Sequence, residues 1–459
     1  MFYGRKEELM VLEEEYKKDY SFVSIYGTRR IGKTSLISKF IDDKNHIMFQ
    51  AKEISDKDNL KSFSEKISEY ARRNDEYTYS SWEKAFDAII SLFDNKKGII
   101  VIDEYPYLVK SNPGITSIFQ DIYDNKIKKN KIMLVLSGSN ISFMENELNS
   151  KQSPLYKRIT LRLKINKLPF DEAKLFLKKY NNEDKTKFLC MFGEYPYYLS
   201  MIDDSLTFDE NIKKMFFSST SILLDVPKLV LSNAAREQSF YNSILLALSG
   251  KRRGLSEIAQ LMDSDVTKVN KYMITLLESE MIVKREMFNS SRQTYYYILD
   301  PVLRFYYQYI YKNIEKIEAG YGSMLFDRLK DDIHSFISHS FEDVAISYME
   351  MLSKNNKLGG LFYPIQNLKI EKSELGRSIE IDGISKDNDK LLVIECKFTN
   401  EKRTILDYKK MVENVSIKMF DSIKQKYFYI ISKSGFDNTL LNTHYKDLHL
   451  IDLNEMYEW

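Results

Sequence analysis

The hydrophobic pattern of the first third of the chain alternates between short aliphatic runs and longer segments of helical periodicity. The runs span residues 22–25, 99–102, 132–136 and 159–165, and the helical segments span residues 59–71 and 82–93. Continuous aliphatic runs are typical of strands buried on both faces of a parallel sheet. We therefore predict an α/β fold in which helices cover a parallel sheet, with ligands at the carboxyl ends of its strands.

The first aliphatic run is followed by a glycine-containing loop that fits the P-loop pattern G-x-x-x-x-G-K-[ST]. A strand precedes the loop and a helical pattern follows it, which is the context that a phosphate site requires. Lys33 is expected to reach the β and γ phosphates of a nucleotide, and the Thr34 hydroxyl to bind Mg²⁺. The residues expected to surround the phosphates are Gly27, Thr28, Arg29, Arg30, Ile31, Gly32, Lys33, Thr34 and Ser35.

Two acidic residues end the next strongly aliphatic run. Asp103 is expected to hold the magnesium ion, and Glu104 to orient or polarise the attacking water. An acidic pair can also be an ordinary strand end, but its combination with a P-loop makes that alternative weak. A third run leads to Ser139, whose side chain is a candidate γ-phosphate contact, although serine and glycine also simply end strands.

Arg158 stands just before the predicted fifth strand. An arginine there could contact phosphate as a sensor or finger, within one subunit or across the boundary of a homo-oligomer. An exposed surface arginine is the commoner outcome, and the sequence leaves these alternatives open.

The middle of the chain has the periodicity of a winged helix between residues 256 and 297. Ser256 and Asp265 are the expected helix caps, and two strands follow around a polar tip at residues 289–292. The unit either binds DNA phosphates or serves as a rigid spacer. The candidate phosphate contacts are Lys251, Arg252, Arg253, Lys268 and Lys271.

Aromatic residues are dense between positions 295 and 311, and include Phe305, Tyr306 and Tyr307. A platform for stacked bases is conceivable. Packing between domains is the favoured interpretation, because the run continues into a helix with few cations.

A second set of candidate catalytic residues lies in two predicted strands near the C-terminus, at residues 378–383 and 391–397, which are joined by a polar turn. If their apolar positions share the core, alternation places Asp382, Glu395 and Lys397 together on the opposite face. Two carboxylates there could bind Mg²⁺ or Mn²⁺, which would polarise a phosphodiester, and the lysine would position the nucleophile or offset charge. The alternative is a pair of ordinary strands with an exposed polar face.

The composition limits the class of protein but does not identify a binding partner. The chain has 459 residues, 43% hydrophobic and 29% charged, which predicts about two to four folded domains. Its net charge of +2 neither demands nor excludes nucleic acid. No membrane span or signal peptide is recognisable, and Cys190 and Cys396 have no CxxC partner, so we expect a soluble protein of the reducing cytoplasm without zinc.

These motifs together resemble the archaeal-type ATPases of the STAND branch of the AAA+ class. The resemblance rests on the opening FYGRKEEL, the loop GTRRIGKT, the IDEY box, the strand end SGSN and the GEYP segment at residues 193–196. It implies that Phe2 to Arg5, and thus Gly4 and Arg5, flank the adenine of ATP and that Gly193 and Pro196 form a lid-side GxP motif. The D…ExK spacing also resembles the PD-(D/E)xK nuclease fold, which often adds an upstream acidic residue, here Glu342.

The resulting prediction has five segments: an ATPase core (1–168), a helical lid (169–235), a winged helix (236–312), a helical linker (313–334) and a C-terminal restriction-endonuclease-like α/β domain (335–459). The favoured hypothesis is an ATP-driven switch coupled to a metal-dependent nuclease that acts on DNA. The alternative is an ATP-dependent regulator or scaffold whose C-terminal domain binds nucleic acid or protein without cutting.

Overall fold

The computed structural model describes residues 2–73, 77–148, 150–225, 238–288, 290–371 and 373–458. They form two compact units, residues 1–168 and 169–459. Among the described residues, no helix combines the length and apolar character that a membrane span requires.

The first unit is built on a five-stranded parallel sheet of order β2-β3-β4-β1-β5, which confirms the predicted α/β architecture. Its strands are β1 (Ser21–Tyr26), β2 (His46–Gln50), β3 (Gly98–Asp103), β4 (Ile132–Gly138) and β5 (Leu161–Lys164). Every residue of β1, β3 and β4 is buried, as continuous aliphatic runs require. Strand β2 was not predicted, because only Ile47 and Phe49 of its five residues are buried.

Within the described part of this unit, seven helices pack on the two faces of the sheet. They are α1 (Lys6–Lys17), α2 (Lys33–Ile41), α3 (Asp56–Tyr70), α4 (Trp82–Phe93), α5 (Tyr105–Ser111), α6 (Ile115–Asn125) and α7 (Ile141–Glu147), with a 3₁₀ turn at Ile127–Lys129. One apolar cluster contains Phe22 and Phe63, and a second, containing Val23 and Leu36, lies on the other face of β1. Because apolar clusters pack on both faces of the sheet, the strands are held in place, and so are the strand ends that carry the candidate site.

The second unit begins with helices and a β-hairpin. Its helices in this part are α8 (Phe170–Ala173), α9 (Asn182–Phe192), α10 (Pro196–Leu199), α11 (Phe208–Phe216), α12 (Gln238–Ser249), α13 (Leu255–Leu261), α14 (Val266–Glu278) and α15 (Pro301–Phe305). Short 3₁₀ turns lie at Lys174–Leu177 and Ile222–Asp225, and strands β6 (Ile282–Met287) and β7 (Ser290–Ile298) form the antiparallel hairpin.

The two helix caps predicted in this region differ in outcome. Asp265 caps α14 by accepting hydrogen bonds from the backbone of Thr267 and Lys268, as predicted. Ser256 does not cap α13, because that helix begins at Leu255 with Gly254 at the cap position. The predicted tip at residues 289–292 lies outside the residues whose side chains are described.

Irregular helices connect α15 to the long helix α18. The segment comprises a π-helix at Tyr306–Ile310, a 3₁₀ turn at Tyr311–Asn313, α16 (Ile314–Lys316), a second π-helix at Ile317–Tyr321, α17 (Gly322–Arg328) and α18 (Lys330–Lys354). Phe305 and Tyr307 are completely buried and Tyr306 is 3% exposed. These three aromatic residues therefore pack in the interior and do not form an exposed platform for bases.

The second unit ends in a mixed sheet of order β12-β11-β10-β9-β8. Its elements are β8 (Gln366–Ile370), β9 (Ile379–Asp387), β10 (Lys390–Lys397), α19 (Ile405–Asn414), a 3₁₀ turn at Lys418–Phe420, β11 (Gln425–Ser432), α20 (Asn438–Leu441), β12 (Leu448–Asp452) and α21 (Leu453–Glu458). The predicted hairpin is the antiparallel pair β9–β10, whereas β10, β11 and β12 run parallel.

Candidate functional site

The P-loop lies between the carboxyl end of β1 and the first turn of α2. Arg30 and Gly32 have positive φ values of 69° and 86°, so the loop turns tightly before the helix begins. A Cβ atom at Gly27 would lie 2.3 Å from the backbone oxygen of Ile165, which leaves glycine as the residue that fits. The loop thereby presents backbone N–H groups at a helix N-terminus, an arrangement suited to phosphate.

Lys33 is held by the loop that precedes it. Its Nζ donates hydrogen bonds of 2.8 Å to the backbone oxygens of Gly27 and of Thr28. The residue is only 6% exposed although it is charged. A buried ammonium inside a ring of backbone groups is suited to binding an anionic phosphate group.

Thr34 and Asp103 meet at the carboxyl ends of β1 and β3. The Thr34 Oγ1 donates a 2.9 Å hydrogen bond to Asp103 Oδ2, and Ser137 Oγ donates to Oδ1 of the same carboxylate. Asp103 is 1% exposed. A hydroxyl and a carboxylate in contact are oxygen ligands that Mg²⁺ prefers, so these residues fit the ion that ATPases use. The role of Ser137 was not predicted, and its position near the end of a buried strand beside β3 is the signal that could have indicated it.

Glu104 lies beside this pair and is fixed by Ser139. Ser139 Oγ lies 2.9 Å from both carboxylate oxygens of Glu104. Glu104 has a left-handed backbone conformation with φ 53°, which turns it away from the strand direction. The predicted γ-phosphate contact Ser139 therefore positions the candidate catalytic carboxylate.

Arg5 connects the N-terminal segment to the P-loop. Its Nη2 donates to the backbone oxygens of Ile31 at 2.8 Å and Asn166 at 2.6 Å, while Nη1 contacts Glu8. Gly4 and Arg5 both have positive φ values, 76° and 62°. Arg5 thus lies against the loop through its hydrogen bond to Ile31, and Gly4 directly precedes it in the chain.

Arg158 is not brought to the P-loop. It precedes β5, which runs parallel to β1, and therefore lies at the amino ends of the strands, whereas the phosphate site lies at their carboxyl ends. Its Nε donates a 2.8 Å hydrogen bond to Asp124 at the end of α6. The expected lid residue Pro196 begins α10 in the second unit.

The C-terminal candidate site depends on an irregularity in β9. Gln366 of β8 pairs with Ile384 of β9, and Leu368 of β8 pairs with Ile381. Two steps along β8 therefore correspond to three steps along β9, so β9 contains one extra residue. This β-bulge falls at Asp382 and Gly383 and redirects the Asp382 side chain. In β10, residues 391–394 are buried on both faces, whereas the partly exposed Glu395 and Lys397 alternate with the buried Ile394 and Cys396.

The three predicted residues of this site are nevertheless brought together. Lys397 Nζ lies 3.0 Å from Asp382 Oδ2 and 2.8 Å from Glu395 Oε1. Asp382 Oδ2 also accepts a 2.9 Å hydrogen bond from the backbone N–H of Cys396. Asp382 and Glu395 are mostly buried, with side chains 8% and 13% exposed, whereas Lys397 is 35% exposed.

Glu342 approaches the same cluster from α18. Its Oε2 accepts a 2.9 Å hydrogen bond from Asn367 Nδ2, and Asn367 stands opposite the bulge in β9. Burial, together with the negative charge of Asp382, raises the pKa of Glu342 to about 8. Burial and Asp382 likewise raise the pKa of Glu395, with Lys397 opposing the shift. The cluster therefore has three acidic groups around one ammonium.

A divalent cation would offset this crowding of carboxylates. Among the described residues, no group of three or more His, Cys, Asp or Glu side chains is arranged to hold one metal ion. Asp382 and Glu395 supply two carboxylates, and Mg²⁺ is usually held by one or two carboxylates with water completing its coordination. These two residues therefore fit Mg²⁺ better than a metal that needs a complete protein cage.

The parallel sheet, the P-loop and the Thr34–Asp103 pair define a P-loop ATPase domain. Residues 2–202 match the family model of an ATPase domain predominantly from Archaea, and residues 306–428 match a model for "Archaea bacterial proteins of unknown function". The chain is 32% identical over 442 residues to the uncharacterized protein MJECL04 of Methanocaldococcus jannaschii, covering 94% of this chain and 96% of that one. The chain belongs to this family of archaeal-type ATPases.

Two further similarities are more limited. The uncharacterized ATP-binding protein MJ0423 of M. jannaschii is 47% identical over 45 residues, which is 10% of this chain and 76% of that protein. The solved structure of the Walker-type ATPase PABY2304 of Pyrococcus abyssi superposes with a TM-score of 0.53 at 18% identity, covering 67% of this chain and 96% of that chain. The second similarity shows a common fold.

Proposed function

We propose that the protein is an ATP-dependent switch whose ATPase domain controls a metal-dependent nuclease centre that acts on DNA. The observation that carries the nuclease part is the contact of Lys397 with both Asp382 and Glu395. The P-loop and its two acidic partners support the ATPase part.

In the ATPase centre, Lys33 would bind phosphate oxygens, and Thr34 and Asp103 would hold Mg²⁺. Glu104 is the candidate base that orients a water molecule toward the γ-phosphate. Ser139 keeps the Glu104 carboxylate in one orientation through contacts to both of its oxygens. A pre-oriented carboxylate lowers the entropic cost of reaching the transition state.

In the C-terminal centre, Asp382 and Glu395 would hold Mg²⁺ or Mn²⁺, with Glu342 as the additional acid. The ion would polarise the phosphodiester and lower the pKa of its bound water. Lys397 places a positive charge between the carboxylates, where it can position the attacking water or neutralise developing charge. The excess of acidic groups supports a cation at this place.

DNA is the proposed partner because helices α12–α14 and the β6–β7 hairpin follow the order of a winged helix. Lys268 and Lys271 are exposed on α14, where they could contact phosphates. Arg253 is engaged within the unit, since its Nε donates to the backbone oxygen of Ala247 and its Nη1 contacts Glu257. The basic contribution of this module therefore rests on the lysines and Arg252.

A nuclease assay with Mg²⁺ or Mn²⁺ tests the proposal. Wild-type protein is compared with Asp382→Ala and Lys397→Ala, and Asp389→Ala in the turn of the same hairpin is the matched control. Cutting should be lost in the first two variants and retained in the third. Activity unchanged in Asp382→Ala and Lys397→Ala, or absent throughout, contradicts the nuclease assignment. Lys33→Ala then tests whether cutting depends on ATP.

A second candidate function is that of an ATP-dependent regulator whose C-terminal domain binds without cutting. The ion pairs of Lys397 with both Asp382 and Glu395 favour it, because they already offset the charge of the two carboxylates. In that case Lys397 would permanently neutralise Asp382 and Glu395. Added Mg²⁺ or Mn²⁺ would then leave the thermal stability of wild type and Asp382→Ala equally unchanged.

A further inference from the structure

The β6–β7 hairpin has one buried face and one partly exposed aromatic face. Its register pairs Arg285 with Tyr295 and Val283 with Tyr297, so these four side chains lie on the same face. The opposite face carries Tyr296, which is 5% exposed. Tyr295 and Tyr297 remain partly exposed and Arg285 is exposed.

Arg252 lies over this aromatic face. Its guanidinium carbon is 5.7 Å from the ring centroid of Tyr295 and 5.4 Å from that of Tyr297. The two rings are 5.9 Å apart. These distances are typical of cation–π contacts, so the arginine and the rings form one continuous surface.

Further polar and aromatic groups extend the surface toward the mixed sheet. The Arg285 guanidinium donates a hydrogen bond to the Tyr297 hydroxyl, and Tyr363 is close enough to interact electrostatically with the same guanidinium. Tyr363 lies between α18 and β8 and is 76% exposed. We call Arg252, Arg285, Tyr295, Tyr297 and Tyr363 the aromatic platform.

The aromatic platform adjoins the C-terminal candidate site. Arg252 Nη2 is 3.9 Å from Asp343 Oδ1, and Asp343 directly follows Glu342 in α18. The positive charge of Arg252 also acts on Glu342, which lies beside Asp382. A ligand on the platform would therefore reach the acidic cluster within a short distance.

We propose that the aromatic platform binds unpaired nucleotides and directs a single nucleic-acid strand to the Asp382–Glu395–Lys397 site. Tyrosine rings and guanidinium planes stack on the faces of bases, and these faces are hidden inside a duplex. Arg252 and Arg285 add positive charge for the phosphates. The destination of the strand rests on the proposed nuclease function, whereas binding itself does not.

The chemistry of the platform differs from that of the interior aromatic residues. Tyr307 is completely buried and its hydroxyl donates a 2.8 Å hydrogen bond to Asn242. An aromatic cluster with only a structural role would be buried and internally hydrogen-bonded in the same way. The platform instead combines accessible rings with two arginines, a composition that is enriched where single strands bind.

Fluorescence anisotropy with a labelled oligonucleotide tests this proposal in EDTA, where metal-dependent cutting cannot occur. The probes are single-stranded DNA, single-stranded RNA and the DNA duplex of the same sequence. Wild type should bind one of the single strands at least about tenfold more tightly than the duplex. The DNA and RNA arms identify the sugar that is preferred.

The combined Tyr295→Leu and Tyr297→Leu variant keeps apolar packing but removes the rings, and should weaken single-strand binding about tenfold. Arg285→Gln, at an exposed position, supplies a second variant in case the first fails to fold. Tyr321→Leu with Tyr445→Leu removes two exposed tyrosines elsewhere and should leave binding unchanged.

Equal or tighter binding of the duplex, no binding of either single strand, or unchanged binding in the platform variants would overturn the proposal. The result of the binding experiment can be distinguished from the result of the nuclease assay. Asp382→Ala should keep single-strand binding, so a platform that binds without cutting refutes only the nuclease function. Cutting that persists with unchanged binding in the platform variants refutes only the platform.

Discussion

Arg304 Nη2 lies 2.6 Å from Asp343 Oδ2, and this ion pair joins α15 to the long helix α18 one residue from Glu342. The Arg304 side chain is 18% exposed and that of Asp343 is 37% exposed. At the start of α15, Asp300 accepts a 2.6 Å hydrogen bond from Tyr198 of α10. The contacts therefore connect α10, α15 and the acidic cluster within one unit.

The unequal burial of this pair predicts unequal effects of removing its two members. Asp343→Ala leaves the more buried Arg304 without its carboxylate and should lower the free energy of unfolding by about 3 kcal/mol. Arg304→Met should cost less, because Asp343 retains solvent and the nearby Arg252. Urea unfolding measures both variants.

The exposed ion pair between Lys213 and Asp327 provides the control for this comparison. Asp327→Ala should change the free energy of unfolding by less than about 1 kcal/mol. Equal costs for Asp343→Ala and Asp327→Ala would show that burial does not determine the strength of the Arg304 pair.

Ser139 should contribute to ATP hydrolysis through the orientation of Glu104. Ser139→Ala removes the hydroxyl that contacts both carboxylate oxygens, so kcat should fall about tenfold or more with little change in KM. Steady-state ATPase measurements test this, with Glu104→Gln as the reference for loss of the carboxylate. Ser139→Thr should recover activity, and Ser91→Ala, at an exposed position on α4, should have no effect. A change in KM alone would assign Ser139 to nucleotide binding.

Gly27 should be intolerant of any side chain. A Cβ atom there would lie 2.3 Å from the backbone oxygen of Ile165, and a backbone atom cannot move aside as a flexible side chain can. Gly27→Ala should therefore destabilise the first unit by about 1–3 kcal/mol and weaken nucleotide binding. Gly250→Ala is the matched control, since its Cβ would meet nothing within 4 Å. Similar melting temperatures for the two variants would contradict the steric argument.

The ATPase centre could be predicted because its residues follow contiguous strands whose alternation with helices sets their topology. Asp103 and Thr34 are far apart in sequence, but the carboxyl ends of parallel strands bring them together. The same rule places Arg158 at the opposite end, because a residue that precedes a parallel strand lies at its amino end. Its assignment to the phosphate site therefore conflicted with the predicted topology.

The C-terminal cluster was less accessible to prediction. The alternation of side chains along the predicted strands placed Asp382, Glu395 and Lys397 together. It did not predict the extra residue in β9. A shift of one residue reverses which face a side chain occupies. Gly383, a glycine inside the strand pattern, is a local sequence signal for such a bulge, but it does not fix where the neighbouring side chains lie. The hydrogen bond of Asn367 to Glu342 depends on that bulge and on tertiary packing of α18.

The raised pKa of Glu342 predicts a stability that falls as pH increases. Its value of about 8 in the folded protein lies above the ordinary value of 4.5, because burial and the charge of Asp382 disfavour the carboxylate. Between these pH values the native state binds more protons than the unfolded state, so the contribution of Glu342 is full below pH 4.5 and is lost by about pH 8. The slope for one group is at most about 1.4 kcal/mol per pH unit.

Glu342→Gln should remove this dependence while an amide can still bond with Asn367. In EDTA, the free energy of unfolding of the variant relative to wild type should rise by about 2 kcal/mol or more between about pH 5 and pH 8. Glu380→Gln, at an exposed position of β9, should show no such trend. A divalent cation should reduce the difference at high pH, because it stabilises the neighbouring carboxylates in their charged form. A difference that stays constant with pH would mean that Glu342 ionises normally in the folded protein.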